Sequence, residues 1–368
     1  MNFKISKTLF FGSLNHFQSV VEKRNTIPIL SNIKISATST SIRLTATDLS
    51  IQLSEEISAE IITEGEVTIP SQMIFDIIRK VPDKSQIEIK ENQEVGKVFI
   101  FFNSSKFSLP YLPASDYPEI ENEQLLQSFK VDSSKLKFLL NDCRFSMGVD
   151  ESRPYLNGVY LHSSENEIIT VATDGHRLSK CSVKKENNLD LSEGIIIPKK
   201  TVNEISKLLD EADNDVLVEI SRTKIQFSVG AIVLISKLVN ANFPDYETVI
   251  PKNNNLIVKC NTKSFSETID RVSTISSEKF RTVKLSIQNN KCTVSSFGEE
   301  KSAATEIIDV SYDDKTIDIN FNARYILEVL SIIKSENIKI CFAQGTAPTV
   351  LKGESEENSL YLIMQMRA

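Results

Sequence analysis

The chain is predicted to be α+β, built as three related units, each with two helices packed on antiparallel sheet. Three observations predict this. Landmarks recur at a nearly constant offset: Ala46-Thr47-Asp48 returns as Ala172-Thr173-Asp174, 126 positions later. A strand, a proline and a helix start follow one another at Val67-Thr68-Ile69-Pro70-Ser71 and again at Ile196-Ile197-Pro198-Lys199, the prolines 128 apart. Tyr117-Pro118 and Phe243-Pro244 close two units at a spacing of 126. A third unit starts near Leu256, with Phe321-Asn322-Ala323-Arg324-Tyr325 in the strand-to-helix position. The repeat divides the chain into domains 1–127, 128–250 and 251–368. Each is roughly 120 residues, an ordinary domain size and far longer than a solenoid repeat.

In the first unit Phe3-Lys4-Ile5 reads as a strand. Phe10, Leu14, Phe17 and Val21 follow at helical spacing. Ile42 to Ala46 and Ile51 to Leu53 alternate as strands. A second helix is expected over Ser71 to Lys80, with Ile74, Ile77 and Ile78 inward. Strands return at Val98 to Phe102 and Phe107 to Leu109, and Pro110, Pro113 and Pro118 punctuate the exit.

The second unit repeats this order. A helix over Ser134 to Phe145 sets Leu136, Leu140, Cys143 and Met147 on one side and Lys137, Asn141 and Arg144 on the other. The next, Lys199 to Leu209, turns Val202, Ile205 and Leu209 inward and is expected to carry Lys200, Glu204 and Lys207 on its outer stripe. In the third unit helices are expected at Ser264 to Ile275 and Arg324 to Ile333, and a last strand at Leu360 to Met366. Helices on one face of antiparallel sheet are the stable layering for such a pattern.

Composition narrows the function. The net charge of -7 repels nucleic acid as a whole, so any DNA partner must meet a local basic surface. The N-terminal stretch has no apolar core of signal-peptide length, and no apolar run approaches the roughly 18 residues of a membrane span. A cytoplasmic protein is expected. Five cysteines, Cys143, Cys181, Cys260, Cys292 and Cys341, form no Cys-x-x-Cys pair, so neither a disulfide frame nor a metal site is expected.

No phosphate-binding glycine loop, dinucleotide fingerprint or His-Glu-x-x-His is present. Asp174 and His176 could form an acid–base pair in a hydrolase, but neighbouring turn positions rarely converge, and no nucleophile is nearby. The helices say more. Their outer stripes carry Arg79, Lys137, Arg144, Lys200, Lys207, Arg271 and Arg324. Exposed helices normally carry solvated charge. Repetition inside an acidic chain, however, points to a basic surface suited to phosphates without base readout. The tail Leu362-Ile363-Met364-Gln365-Met366-Arg367 is apolar and methionine-rich, fitting either a buried last strand or an adaptable peptide pocket.

Several stretches then carry a resemblance over the full length. They are Arg24-Asn25-Thr26-Ile27-Pro28-Ile29-Leu30, Tyr155-Leu156-Asn157-Gly158, Ala172-Thr173-Asp174-Gly175-His176-Arg177-Leu178, Phe243-Pro244-Asp245-Tyr246, Glu278-Lys279-Phe280-Arg281 and the Met-x-Met-Arg end. Together they resemble the β sliding clamps of bacterial DNA polymerase III. The resemblance implies three clamp domains per chain and a head-to-tail homodimer closed into a ring around double-stranded DNA. It implies no catalysis and no cofactor. The implied partners are the polymerase α subunit, the clamp loader and other peptides with a clamp-binding motif.

By matching motifs, the resemblance implies a partner-peptide pocket of Leu156, Thr173, Gly175, His176, Arg177, Leu178, Pro244, Val249, Asn322, Tyr325, Met364 and Met366. It adds Arg24 and Tyr155 to the DNA-facing residues. It places Phe107, Leu109, Thr274 and Ile275 at the dimer interface. Glu247-Thr248 follow Phe-Pro-Asp-Tyr where the family often has basic residues, Gln365 stands where it often has proline, and Pro154 replaces a frequent tyrosine. The alternatives kept open are the hydrolase and a monomeric peptide-binding scaffold.

Overall fold

Each helix begins where a strand runs out. In the computed structural model α1 (Lys7–His16) follows the strand Asn2–Ser6, and α2 (Ser71–Arg79) follows Gly65–Pro70. α3 (Ser133–Arg144) follows Leu125–Val131, and α4 (Lys199–Asp210) follows Ile195–Pro198. α5 (Thr262–Ser273) follows Leu256–Asn261, and α6 (Ala323–Ile332) follows Ile317–Asn322. Local chemistry explains the switches. Ser6, Asn261 and Asn322 side chains accept backbone N–H groups of the first turn, satisfying donors that a helix start leaves free. Pro70 and Pro198, with no N–H to lose, end the strands before α2 and α4. The structure describes residues 1–21, 27–121, 123–185, 189–276, 281–299, 302–343 and 347–366.

These residues fall into two units, Met1–Leu136 with Lys200–Leu238, and Lys137–Lys199 with Val239–Ala368. The first holds a five-stranded sheet in the order Glu60–Thr63, Asn2–Ser6, Gln86–Asn92, Lys97–Phe102, Ser105–Pro110. Its eight-stranded sheet runs Leu125–Val131, Val216–Ser221, Lys224–Val229, Ile232–Lys237, Ile51–Ser58, Ser41–Thr47, Asn32–Thr38, Gly65–Pro70. The second unit's eight-stranded sheet runs Ile195–Pro198, Gly158–Ser163, Glu167–Thr173, Arg177–Lys184, Ser359–Ile363, Thr349–Gly353, Asn337–Phe342, Leu256–Asn261. A four-stranded sheet completes it, in the order Ala303–Asp309, Lys291–Phe297, Thr282–Gln288, Ile317–Asn322.

The two larger sheets run across the expected domain boundaries. Ile232–Lys237 pairs antiparallel with Ile51–Ser58, Leu234 opposite Leu53, and Arg177–Lys184 pairs with Ser359–Ile363, Leu178 opposite Leu362. Joining half-sheets this way satisfies backbone edges that separate domains would leave open. In the second unit α5 and α6 bury Phe265, Ile269, Ile326 and Leu330 against Val283, Leu285, Ile319 and Phe321 of the sheet beneath. Each such fully buried side chain stabilises by about 1.5–3 kcal/mol.

Several local expectations change. α1 stops at His16, and the Phe17 N–H turns back to the Leu14 carbonyl, so Val21 lies beyond the helix although it keeps the apolar spacing. Ile77 is only half-buried, while Ile74 and Ile78 are fully inward. Glu204 is buried rather than on an outer stripe, held by Ser19 and by Lys207 at 3.0 Å. A carboxylate with two partners can be buried where a lone one cannot. The final strand ends at Ile363, and Met366 continues only as a single bridge to Asn320.

Candidate functional site

The Ala-Thr-Asp repeat makes the same turn twice. Thr47 Oγ1 donates to the Ile51 carbonyl (2.8 Å) and accepts the Leu49 N–H (3.0 Å), while Asp48 Oδ1 accepts from Ser50 and Ile51 (2.8 Å each). In the second copy Thr173 Oγ1 donates to the Arg177 carbonyl (2.6 Å) and accepts the Gly175 N–H (3.1 Å). Asp174 Oδ1 accepts from His176 (2.9 Å) and Arg177 (3.1 Å). These are side-chain-closed turns of the kind that Asp and Thr favour. Both acids are therefore structural. Asp174 Oδ2 takes the Arg177 Nε–H at 3.0 Å, and Asp48 Oδ2 takes Lys200 Nζ at 2.5 Å. A hydrolase built on Asp174 and His176 finds no support here, since the carboxylate is committed to the turn and His176 is exposed.

The second turn forms one rim of a cavity of about 360 Å³. Its walls include Leu156, Thr173, Gly175, Arg177, Leu178, Pro244, Val249 and Met364, eight of the twelve residues expected to meet. Tyr155, Asp245, Tyr246, Pro348 and Leu362 complete it. Tyr155, expected toward DNA, thus faces the cavity. The floor is the sheet: Leu178 and Leu362 lie opposite each other on paired strands, and Ile169, Val171 and Val350 pack beneath with Tyr246. A mostly apolar concavity with a few polar groups is the ordinary form of a ligand site.

Four expected residues do not line it. His176 points to solvent, and its carbonyl accepts the Met364 N–H at 2.8 Å. The Asn322 side chain caps α6 at the Arg324 N–H (3.0 Å). Tyr325 lies under the Arg177 guanidinium, 4.5 Å from ring centroid to charge. The Met366 N–H is bound to the Asn320 carbonyl, and its sulfur accepts from Thr282 Oγ1. Pro348 was missed because it comes from a segment without a motif, whereas Asp245, Tyr246 and Leu362 adjoin the expected Pro244 and Met364. The one available signal for Tyr246 was its place in Phe243-Pro244-Asp245-Tyr246.

The basic residues are mostly paired. In the first unit Arg79 meets Asp76 (3.0 Å), Lys200 meets Asp48, and Lys207 meets Glu204. In the second, Arg271 meets Glu306 (2.6 Å) and Arg324 meets Glu328 (2.9 Å); these carboxylates hold both guanidiniums above their usual pKa. Arg144 is exposed and Lys137 half-buried on α3. Arg24 lies outside the described residues.

Of the expected interface residues, Phe107 is 40% exposed on the edge strand Ser105–Pro110 and stacks on Phe102 at 5.6 Å. Leu109 is already buried within its own unit. Thr274 caps α5 and donates to the Asp270 carbonyl, with Ile275 half-buried beside it. Among the described residues no group of His, Cys, Asp and Glu is arranged to hold a metal ion, and no helix is long and apolar enough to cross a membrane.

Comparison with known proteins accounts for the whole chain. Residues 1–121, 130–245 and 247–367 match the family models of the N-terminal, central and C-terminal domains of the DNA polymerase III beta subunit. The chain is 36% identical to the beta sliding clamp of Caulobacter vibrioides over all of both chains, and 34% identical to that of Rickettsia felis over 98% of each. Its fold superposes on the DnaN sliding clamp of Bartonella birtlesii bound to griselimycin with a TM-score of 0.97, at 36% identity and full coverage of both chains. On the Caulobacter crescentus pol III beta structure the TM-score is 0.95, at 35% identity and full coverage. The chain belongs to the DNA polymerase III beta subunit family, and its function is that of a sliding clamp, a processivity factor with no catalysis of its own.

Proposed function

We propose that two copies of the chain join head to tail into a closed ring around duplex DNA in the bacterial cytoplasm, and that the cavity receives short peptide segments of its partners. The polymerase α subunit and the clamp loader are the first partners expected. The observation that carries the ring is a pair of open sheet edges. Ser105–Pro110 ends one sheet and Ala303–Asp309 ends another, exposing Phe107 at 40% and Ile307 at 59%. Open apolar edges invite strand pairing with another chain, and head-to-tail pairing of unlike edges closes a two-fold ring. Phe107, Leu109, Thr274 and Ile275 are the proposed contacts.

The proposed DNA-facing set is Arg24, Arg79, Lys137, Arg144, Tyr155, Lys200, Lys207, Arg271 and Arg324, with Tyr155 meeting DNA only from its place on the cavity wall. Of these, Arg79, Arg271 and Arg324 are exposed and paired with the chain's own carboxylates, which suits sliding. An exposed ion pair is worth only about 0–1 kcal/mol, so a passing phosphate can exchange into it without being gripped. Topology, rather than affinity, then holds the ring on DNA. For the cavity, the proposed set is the twelve residues named from sequence. His176, Asn322, Tyr325 and Met366 would meet a peptide only beyond the walls described. Exchange among partners fits micromolar binding, about -8 kcal/mol.

The test is retention. The protein is loaded by a clamp loader onto nicked circular duplex, and half of the sample is then linearised. Retention on circles with loss from linear DNA is expected. Equal retention on both would mean that the protein grips DNA directly, and the ring would be wrong for this chain.

A further inference from the structure

Four residues of the cavity wall, Pro244, Asp245, Tyr246 and Val249, come from one short segment. Whatever fixes that segment fixes the shape of the cavity. Its own secondary structure is a single 3-10 turn, Tyr246–Val249. It is held from behind by the strand Gly158–Ser163. Tyr160 and His162 stand two apart on that strand and so share a face.

The Tyr160 ring stacks on Phe243, with centroids 4.7 Å apart and planes 1° from parallel. His162 Nε2 lies 2.9 Å from the Tyr246 hydroxyl, and the Tyr160 and His162 rings stack on each other at 5.0 Å. Tyr160 is itself fixed, since its hydroxyl donates to the Glu193 carbonyl at 3.2 Å. Gly194 (φ +64) closes over it; a Cβ there would fall 2.3 Å from the same hydroxyl. Neither Tyr160 nor His162 lines the cavity.

We propose that Tyr160 and His162 are positioning residues for the cavity, a rack of two rings that holds Phe243 and Tyr246 so that a peptide meets a wall already in place. This rests on the reading of the cavity as the partner-peptide site. A preformed wall spares the ordering that binding would otherwise require, so it tightens binding without touching the ligand. The charged groups around His162 agree with a neutral ring that can share the Tyr246 proton. Burial, and then the Lys180 ammonium, hold its pKa below the usual value, against a smaller opposing effect of Glu247. Lys180 itself sits 5.5 Å over the Tyr246 ring.

The test measures binding of a short fluorescein-labelled peptide carrying large apolar side chains to suit the cavity, with the Tm of each variant recorded beside it. His162→Leu and Tyr246→Phe should each weaken binding about five- to tenfold, the scale of one lost hydrogen bond. The double variant should be no weaker than either single one, because both remove the same bond. His162→Gln, whose amide can make that bond, should stay within about twofold of the wild type. Wild-type binding by His162→Leu, or effects that multiply in the double variant, would overturn the rack. Met364→Arg, at an exposed wall position, separates the two readings. If it binds normally, the peptide sits elsewhere and both readings fall; if it loses binding while His162→Leu does not, the rack alone falls.

Discussion

Arg177 Nη1 on the strand Arg177–Lys184 is bonded to the carboxylate of Glu328 on α6. The same guanidinium donates to Asp174 and to the Phe145 carbonyl at the end of α3, and it lies over the rings of Phe145 and Tyr325. At 8% exposure this is a buried cation with every face occupied. Although Arg177 touches the cavity, most of its surface ties the strand to α3 and α6 rather than waiting for a ligand.

Removing the Glu328 carboxylate would leave that cation short of a counter-charge. Glu328→Ala is therefore expected to destabilise by about 2 kcal/mol, the scale of a hydrogen bond to a charged group. In a unit of this size that lowers Tm by about 4–8 °C. Arg177→Lys should act in the same direction, because an ammonium cannot form the guanidinium's forked bonds. Thermal unfolding followed by circular dichroism measures both. A shift below about 1 °C in either variant would show that the pair contributes nothing net.

His16, at the end of α1, gives a stability that depends on pH. Its Nδ1 lies 2.9 Å from Glu55 Oε2, and its Nε2 lies 3.3 Å from Glu211. Ser13 Oγ also donates to Glu55, and Lys207 beside the site is held by Glu204. The Glu55 hydrogen bond raises the pKa of His16 above 6.5, against the opposing effect of burial. A group whose pKa rises on folding stabilises fully below its unfolded value. It loses that contribution as pH climbs through the folded value. The fold should therefore weaken from about pH 6.5 upward. His16→Gln should flatten the profile across that window. Urea midpoints taken at steps of pH decide the matter, and parallel profiles for the two proteins would sink the assignment.

Much of this architecture was legible because it repeats. Asp48 and Asp174 announce one turn used twice, and Pro70 and Pro198 mark two helix starts from sequence alone. What escaped was whatever depends on a partner far along the chain. Glu204 looked like an outer residue because helical spacing knows nothing of Ser19, 185 positions away. Phe17 and Val21 kept helical spacing after the helix had ended, since apolar spacing records burial and not backbone hydrogen bonds. His162 carried no motif at all, and its role appears only when the segment around Tyr246 folds over it. The strand pairing between the expected domains was hidden too, because a sheet edge leaves no mark on periodicity.

The repeated turn makes a last, two-sided prediction. Its third residue has positive φ in both copies, 75° at Leu49 and 89° at Gly175. The left-handed region costs an L-residue about 1–2 kcal/mol and glycine almost nothing, although glycine gives back part of that in unfolded-state entropy. Gly175→Ala should thus destabilise by about 1 kcal/mol from backbone alone, since its Cβ would meet only Arg153 Nη1 at an ordinary 3.4 Å. Leu49→Gly should do the reverse, stabilising by up to about 1 kcal/mol, because the 39%-exposed side chain gives up limited packing. Both changes are read as shifts in Tm, and their opposite signs are the point. If Leu49→Gly lowers Tm, the leucine's contacts outweigh its backbone strain, and the two turns share hydrogen bonds but not energetics.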